Sequence, residues 1–228
     1  EERREWDALD AVSKWLIATR SAVTTVTIYS CVIAGLLAWR FAGLDVGAWL
    51  ILTAGLFLAH GANNLLNDYT DFSRGIDKDN TFRTQYGVHP LVQGFWDQRT
   101  QLRWFLASAV LALAAAVYAL VYTRFDPIVG ALILYGSLML LFYSYPLKHL
   151  AVGEITIFLV WGPVIVGGLF YVLTLEWSWP VVAAGVPFGL STASINIGKH
   201  IDKAAEDRLK GVTTLPVLVG EPAARALN

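Results

Sequence analysis

Residues 104–123 read Trp104-Phe-Leu-Ala-Ser-Ala-Val-Leu-Ala-Leu-Ala-Ala-Ala-Val-Tyr-Ala-Leu-Val-Tyr-Thr123, twenty positions without a charge. A helix needs about 20 mostly apolar residues to cross the roughly 30 Å hydrocarbon core of a bilayer. Five further uncharged runs, of 19–22 residues, lie at 21–39, 46–67, 127–147, 155–175 and 177–198. Soluble helices rarely extend so far without a polar face. The spacing therefore predicts an all-α, polytopic transmembrane bundle with six spans. Composition agrees: 56% of the 228 residues are hydrophobic, 15% are charged, and mean hydropathy is +0.52. Soluble domains carry about 25% charged residues. Trp39, Trp49, Trp104, Trp177 and Trp179 stand near run ends, as in an interfacial aromatic belt. A net charge of −1 excludes whole-molecule attraction to nucleic acid. A single cysteine, Cys31, excludes an intramolecular disulfide and Cys-built zinc or iron–sulfur centres.

Lys and Arg set the sidedness. The segments 1–20, 68–103, 148–154 and 199–228 hold 15 of the 17 basic residues; Arg40 and Arg124 alone lie on the other side. By the positive-inside rule both termini and the long 68–103 segment face the cytoplasm. The expectation is a multi-pass protein of the plasma (inner) membrane, a single domain over 1–228, whose outer loops are tight hairpins.

Two polar stretches share the cytoplasmic side. The first runs His60-Gly-Ala-Asn63-Asn64-Leu-Leu-Asn67-Asp68-Tyr-Thr-Asp71-Phe-Ser-Arg74-Gly-Ile-Asp77. The second runs Asn196-Ile-Gly-Lys199-His200-Ile-Asp202-Lys203-Ala-Ala-Glu206-Asp207-Arg208. At 100° per residue, His60, Asn64, Asn67 and Asp71 fall within about 60° of one another. Asn196, His200, Lys203 and Asp207 repeat that spacing. Polar groups at membrane depth face the bundle interior, so both stripes are expected to line one cavity. Clustered carboxylates repel unless a cation sits among them. Hard oxygen donors suit Mg²⁺, which is commonly held by one or two carboxylates plus substrate phosphates. A Mg²⁺-bound diphosphate is the natural guest, with Arg74, Lys148 and Lys199 on the same side to meet it.

These residues resemble the aspartate-rich motifs of the UbiA superfamily of intramembrane prenyltransferases. Asn67-Asp68-Tyr-Thr-Asp71-Phe-Ser-Arg74-Gly-Ile-Asp77 resembles the first motif, and Asp207-Arg208-Leu-Lys210-Gly211-Val-Thr-Thr214-Leu-Pro the tail of the second. Tyr143-Ser-Tyr145-Pro-Leu-Lys148, Gly153-Glu154 and Trp161-Gly162-Pro163 resemble the stretch between them, and Arg20-Ser21 resembles an Arg-Pro ahead of the first span. The resemblance covers residues 15–220. It implies Mg²⁺-dependent transfer of a polyprenyl or phytyl group from an allylic diphosphate to an acceptor, often an aromatic ring. Motif by motif it implies catalytic Asp68, Asp71 and Asp207. It implies metal contacts from Asp68, Asp71, Asp77, Asp202 and Asp207. Substrate contacts fall to Arg20, Asn64, Asn67, Arg74, Tyr145, Lys148, Asn196 and Lys199. The partners it implies are an isoprenoid diphosphate, a small-molecule acceptor and the lipid bilayer. The sequence names no protein partner.

Gly-Ile-Asp after the first cluster is closest to the branch acting on 1,4-dihydroxy-2-naphthoate, hence quinone-type biosynthesis. Two features depart from the pattern. Lys203 stands four residues before Asp207, where the family has an acid; Asp202 and Glu206 point away from Asp207 on a straight helix. The family has nine spans against six here, so the chain is expected to be part of a nine-helix fold that continues past residue 228. The 68–103 segment, with Arg83, His89 and Gly94, is expected to cap the cavity. Two other classes compete: a transporter lined by the same polar stripes, and a non-catalytic prenyltransferase-like subunit of a larger membrane complex.

Overall fold

Inside a bilayer no water is present to satisfy a backbone, and a helix does so within one segment. The computed structural model describes residues 2–76 and 87–228, apart from the side chains of 148 and 149. Among the described residues every regular element is helical. Two short helices, α1 (Glu2–Ala8) and α2 (Ala11–Ala18), precede α3 (Ser21–Phe41) and α4 (Val46–Ser73). Then follow α5 (Gln98–Tyr122), α6 (Pro127–Phe142), a 3₁₀ turn at Leu147–Leu150, α7 (Gly153–Thr174) and α8 (Trp179–Leu209). Short α9 (Leu215–Val219) and α10 (Glu221–Leu227) finish the chain.

Five helices, α3, α4, α5, α7 and α8, are long and apolar enough to cross a membrane. The protein is a multi-pass membrane protein. The fourth expected span is shorter than its run. α6 has 16 residues, about 24 Å at 1.5 Å per residue, and ends at Phe142 instead of 147. Pro146 explains the stop, because it lacks an N–H and disfavours the helical conformation in the residue before it. α4 and α8 do the opposite: each continues past its uncharged run, to Ser73 and Leu209. The connection after α4 therefore begins at Arg74, six residues later than the expected loop. Its polar residues stay helical because they have partners inside the bundle, described below.

The two ends of the bundle differ. At one end four-residue links, 42–45, 123–126 and 175–178, join α3 to α4, α5 to α6 and α7 to α8. Asp45, Asp126 and Ser178 cap the second helix of each hairpin, accepting from the N–H groups of Ala48, of Ile128 and Val129, and of Val181. Apolar packing gathers here: Cys31, Ala34, Leu52, Ala119, Val129 and Leu169 form one buried cluster. Buried charge gathers at the opposite end. Val110, Leu113, Val117, Leu134, Leu190 and Ile195 are exposed, as faces turned to hydrocarbon would be.

α7 and α8 meet backbone to backbone. A Cβ on Gly162 would lie 2.9 Å from Gly185 O and from Gly189 Cα, and one on Gly189 would lie 2.5 Å from Phe158 O. Small residues permit such approach between membrane helices. α7 passes Pro163 through a π turn at Val160–Val164. The Trp161 carbonyl within it accepts from Ser30 Oγ at 2.6 Å, tying this turn to α3.

Gly189→Ala is expected to destabilise the folded protein by about 1–3 kcal/mol, the cost of overpacking a filled contact. Gly130→Ala, whose added Cβ meets nothing within 4 Å, is expected to be neutral or slightly stabilising. Thermal unfolding of the two variants in one detergent checks this; equal midpoints count against the close α7–α8 contact.

Candidate active site

The polar end is built around α4. Asp68 and Asp71 are 1% and 3% exposed. Asp68 accepts from the guanidinium of Arg20, which reaches over from the start of α3. Arg20 holds a left-handed backbone, φ 56° and ψ 50°, which costs a residue with a Cβ about 1–2 kcal/mol. Two bonds hold it there. Asn64 Nδ2 donates to the carbonyl of Thr19 at 2.8 Å, and the ion pair itself anchors the side chain. Asn64 thus positions Arg20. Fully buried His89 brings its Nε2 to 3.9 Å from Asp68 Oδ1, so the segment after residue 86 closes over this carboxylate. Asp77 and Arg83 lie outside the described residues.

Asn67 joins α4 to the end of α6. Its Oδ1 accepts from Ser144 Oγ at 3.2 Å, and its Nδ2 donates to Asp71 Oδ2 at 3.2 Å. Both amide roles are consistent with one orientation. Arg74 stacks its guanidinium 3.5 Å from the centre of the Tyr145 ring, a cation–π contact. The backbone of Lys148 lies in the 3₁₀ turn; its side chain is not among those described.

α8 supplies the other wall. His200 Nδ1 and Glu154 Oε1 are 2.6 Å apart, and both residues are buried. Lys203 and Asp207 face the same interior, 6% and 3% exposed, with Nζ 3.8 Å from Oδ1. Asn196 and Lys199 are half-buried on this helix. Asp202 is exposed: α8 is continuous through this stretch, so the helix is not bent to bring Asp202 onto the Asp207 face. The two walls belong to one site. Lys210 Nζ donates to Ile76 O at 2.6 Å, tying the segment after α8 to the segment after α4. The Tyr143 hydroxyl is within electrostatic range of Glu154, Asp71 and Arg20 together.

Deeper along the α4 stripe, His60 Nδ1 lies 2.8 Å from Thr27 Oγ1, which also accepts from Trp161 Nε1 at 2.8 Å. An indole only donates. Thr27 Oγ1 therefore accepts from Trp161 and shares a second hydrogen bond with His60 Nδ1. The Trp161 ring packs 4.8 Å from the imidazole.

Buried acids on α4 and α8 thus lie at one end of an apolar helical bundle. The profile of the UbiA prenyltransferase family matches residues 28–227. The chain belongs to the UbiA prenyltransferase family. It is 28% identical over 236 residues to UbiA prenyltransferase domain-containing protein 1 of Mus musculus, covering 96% of this chain and 68% of that one. The Xenopus tropicalis protein of the same name is 28% identical over 213 residues, 90% and 59% of the two chains. The 1,4-dihydroxy-2-naphthoate octaprenyltransferase of Mycobacterium tuberculosis is 29% identical over 194 residues, 85% and 65%. The chain thus spans about three-fifths to two-thirds of these relatives' length. The solved structure of a digeranylgeranylglyceryl phosphate synthase superposes with a TM-score of 0.60 at 20% identity, covering all of this chain and 74% of that one. That similarity establishes the fold.

Among the described residues no three His, Cys, Asp or Glu side chains stand together as a ready metal cage. The donor set still fits Mg²⁺, which takes one or two carboxylates and completes its shell with phosphate and water. Asp207 Oδ2 is buried without a hydrogen-bond partner, an acceptor left for an incoming group.

The sequence motifs drew attention to the aspartates but missed the role of Glu154. Gly153-Glu154 belongs to the stretch that resembles the family, but its spacing carries no sign of the His200 partner. His60 was placed on the right stripe, but its Thr27 and Trp161 partners come from other helices and leave no trace in local spacing.

Removing Arg20 alone takes the guanidinium away from a buried carboxylate. Arg20→Met is expected to cost about 3–5 kcal/mol, the usual result of breaking a buried pair from one side. Arg20→Met/Asp68→Asn is expected to recover part of that loss in a double-mutant cycle of unfolding free energies. Strict additivity would show that the pair is not coupled.

Proposed function

We propose that this UbiA-family protein transfers a prenyl group from an allylic diphosphate to an electron-rich acceptor, with Mg²⁺, in quinone-type biosynthesis. The observation that supports the reading is that the ends of the two acid-bearing helices are linked, Lys210 after α8 donating to Ile76 O after α4. The diphosphate sits at this polar end, and its prenyl chain runs into the apolar half of the bundle. A bound Mg²⁺ supplies charge neutralisation at the leaving diphosphate. Asp71, oriented by Asn67, and Asp207, with its open oxygen, are the carboxylates that hold the metal. Asp68 acts through Arg20, whose guanidinium it fixes toward the phosphates. Arg74, Lys148 and Lys199 add charge around the headgroup, and Tyr145 and Asn196 complete its surroundings.

The allylic C–O bond breaks with its electron pair leaving on the diphosphate oxygen. The resulting carbocation is attacked by an acceptor carbon, which then releases a proton. The apolar bundle keeps water from the cation, and a preorganised cationic rim is worth most where water is excluded. The basic residues flanking this end support a cytoplasmic-facing site in the inner membrane. The name of the mycobacterial relative supports a naphthoate-type acceptor.

Radiolabelled geranylgeranyl diphosphate with 1,4-dihydroxy-2-naphthoate, with and without Mg²⁺, tests the reaction in the purified protein. Mg²⁺-dependent diphosphate release is expected; none with any quinone precursor overturns the assignment. Asp71→Ala is expected to lower turnover by about a hundredfold or more, the scale of losing one transition-state contact, with an unchanged thermal midpoint. Asp202→Asn is expected to harm turnover less than Asp207→Asn, because only Asp207 faces the cleft. Equal losses would require Asp202 to enter the site.

A further inference from the structure

Lys203 holds a position that charge arithmetic makes informative. α8 runs unbroken from Trp179 to Leu209, so Lys203 and Asp207, one turn apart, face the same way. Both are buried, at 6% and 3% exposure. Their Nζ–Oδ1 separation of 3.8 Å is a charge contact but too long for a hydrogen bond. The second oxygen, Asp207 Oδ2, is buried and accepts nothing. A buried carboxylate in that state is costly unless a ligand completes it. The site is thus open to a group that brings a cation or donor to Asp207, with the Lys203 ammonium beside it. Hydrated Mg²⁺ carrying a phosphate oxygen is such a group.

Each divalent ion held by carboxylates serves to present positive charge to the phosphate. A carboxylate bearing one Mg²⁺ carries a net single positive charge. An ammonium at the same place carries that charge with no metal at all. His200, one turn before Lys203, is already engaged by Glu154, and Asp202 faces outward. The α8 wall therefore offers Asp207, and Glu206 with its buried Oε2, beside a resident cation.

We propose that Lys203 replaces one of two divalent ions. The protein binds its diphosphate with a single Mg²⁺ and with the Lys203 ammonium as the second positive centre. This inference rests on the reading that the cleft binds a diphosphate. Lysine suits the task because it meets phosphate as a point charge with three donors. The consequence is that part of the diphosphate affinity survives removal of all metal.

Two measurements on the purified full chain test it, neither requiring turnover. The first counts Mn²⁺ bound per chain by electron paramagnetic resonance during titration in the presence of inorganic pyrophosphate. One equivalent is expected in the wild type and two in Lys203→Asp. The second measures pyrophosphate binding calorimetrically in EDTA. Binding is expected in the wild type, weakened about tenfold or more in Lys203→Met, as for loss of one charge-assisted contact, and largely kept in Lys203→Arg. Two Mn²⁺ equivalents in the wild type overturn the inference and leave the diphosphate reading standing. So does metal-free affinity that is unchanged in Lys203→Met. If the wild type binds no Mn²⁺ in a pyrophosphate-dependent way, the diphosphate reading falls and this inference with it. The wild-type count decides the matter even where Lys203→Asp does not fold.

Discussion

The contact between the Arg20 guanidinium and the Asp68 carboxylate governs the polar end of this bundle. Arg20 is the hinge between α2 and α3, and Asp68 lies in the last third of α4. Joining them fixes how α3 leans on α4. The cost is borne locally, in a left-handed backbone at a residue with a Cβ and in two charges withdrawn from solvent. Such pairs seldom add much stability over an apolar replacement. They do choose between alternative packings, because any other register of α3 against α4 leaves a charge alone at membrane depth. Asn64 reinforces that choice by claiming the Thr19 carbonyl, while Gln101 fixes α5 on α4 by donating to Leu65 O at 2.8 Å. Asn67 and Asp71 occupy the next turn, so their placement is inherited from the pair.

The membrane makes some features of this chain easy to read from sequence and hides others. Lipid penalises charge so heavily that the spans appear as gaps in the charge pattern, and the hairpin ends follow from the distribution of Lys and Arg. Helical phase is legible for the same reason. The stripe through His60, Asn64, Asn67 and Asp71 does point inward. Phase does not name partners. Asn64 could have faced a ligand, yet it bonds to Thr19, 45 residues away. His200 could have been an isolated polar residue, yet it meets Glu154 across 46 residues. Helix ends were misjudged in both directions. Charge reads as a stop signal in α4 and α8, where interior partners allow the helix to continue. In α6 the stop came from Pro146 inside an apolar run, a backbone constraint that hydropathy cannot register.

The contrast between the two ends of the molecule follows from the same solvent argument. At the hairpin end, small and apolar side chains pack α3, α4, α6 and α7 together, and glycines bring α7 and α8 into backbone contact. No hydrophobic driving force acts between helices already dissolved in lipid, so close van der Waals contact must hold that end. At the polar end, ion pairs and hydrogen bonds from side-chain amides hold helices whose backbones need not touch. A cleft can therefore exist there without the bundle coming apart. It can also exchange some of its internal contacts for contacts with a ligand.

That exchange explains why the buried acids are not simply left to wait for metal. Asp68 rests on Arg20, Glu154 on His200, and Asp207 beside Lys203. A cluster of bare carboxylates would repel and would raise the pKa of its members until some became protonated, and a protonated acid is a poor ligand for a hard cation. Pairing Asp68, Glu154 and Asp207 with basic side chains relieves that repulsion before any ligand enters. It also leaves those basic groups at hand when a polyanion enters. In this arrangement the charge that stabilises the empty fold is the same charge that receives the ligand. A substitution that removes a basic partner should therefore affect folding and anion binding together, whereas loss of an acid such as Asp71, held by the neutral amide of Asn67, bears chiefly on the ligand.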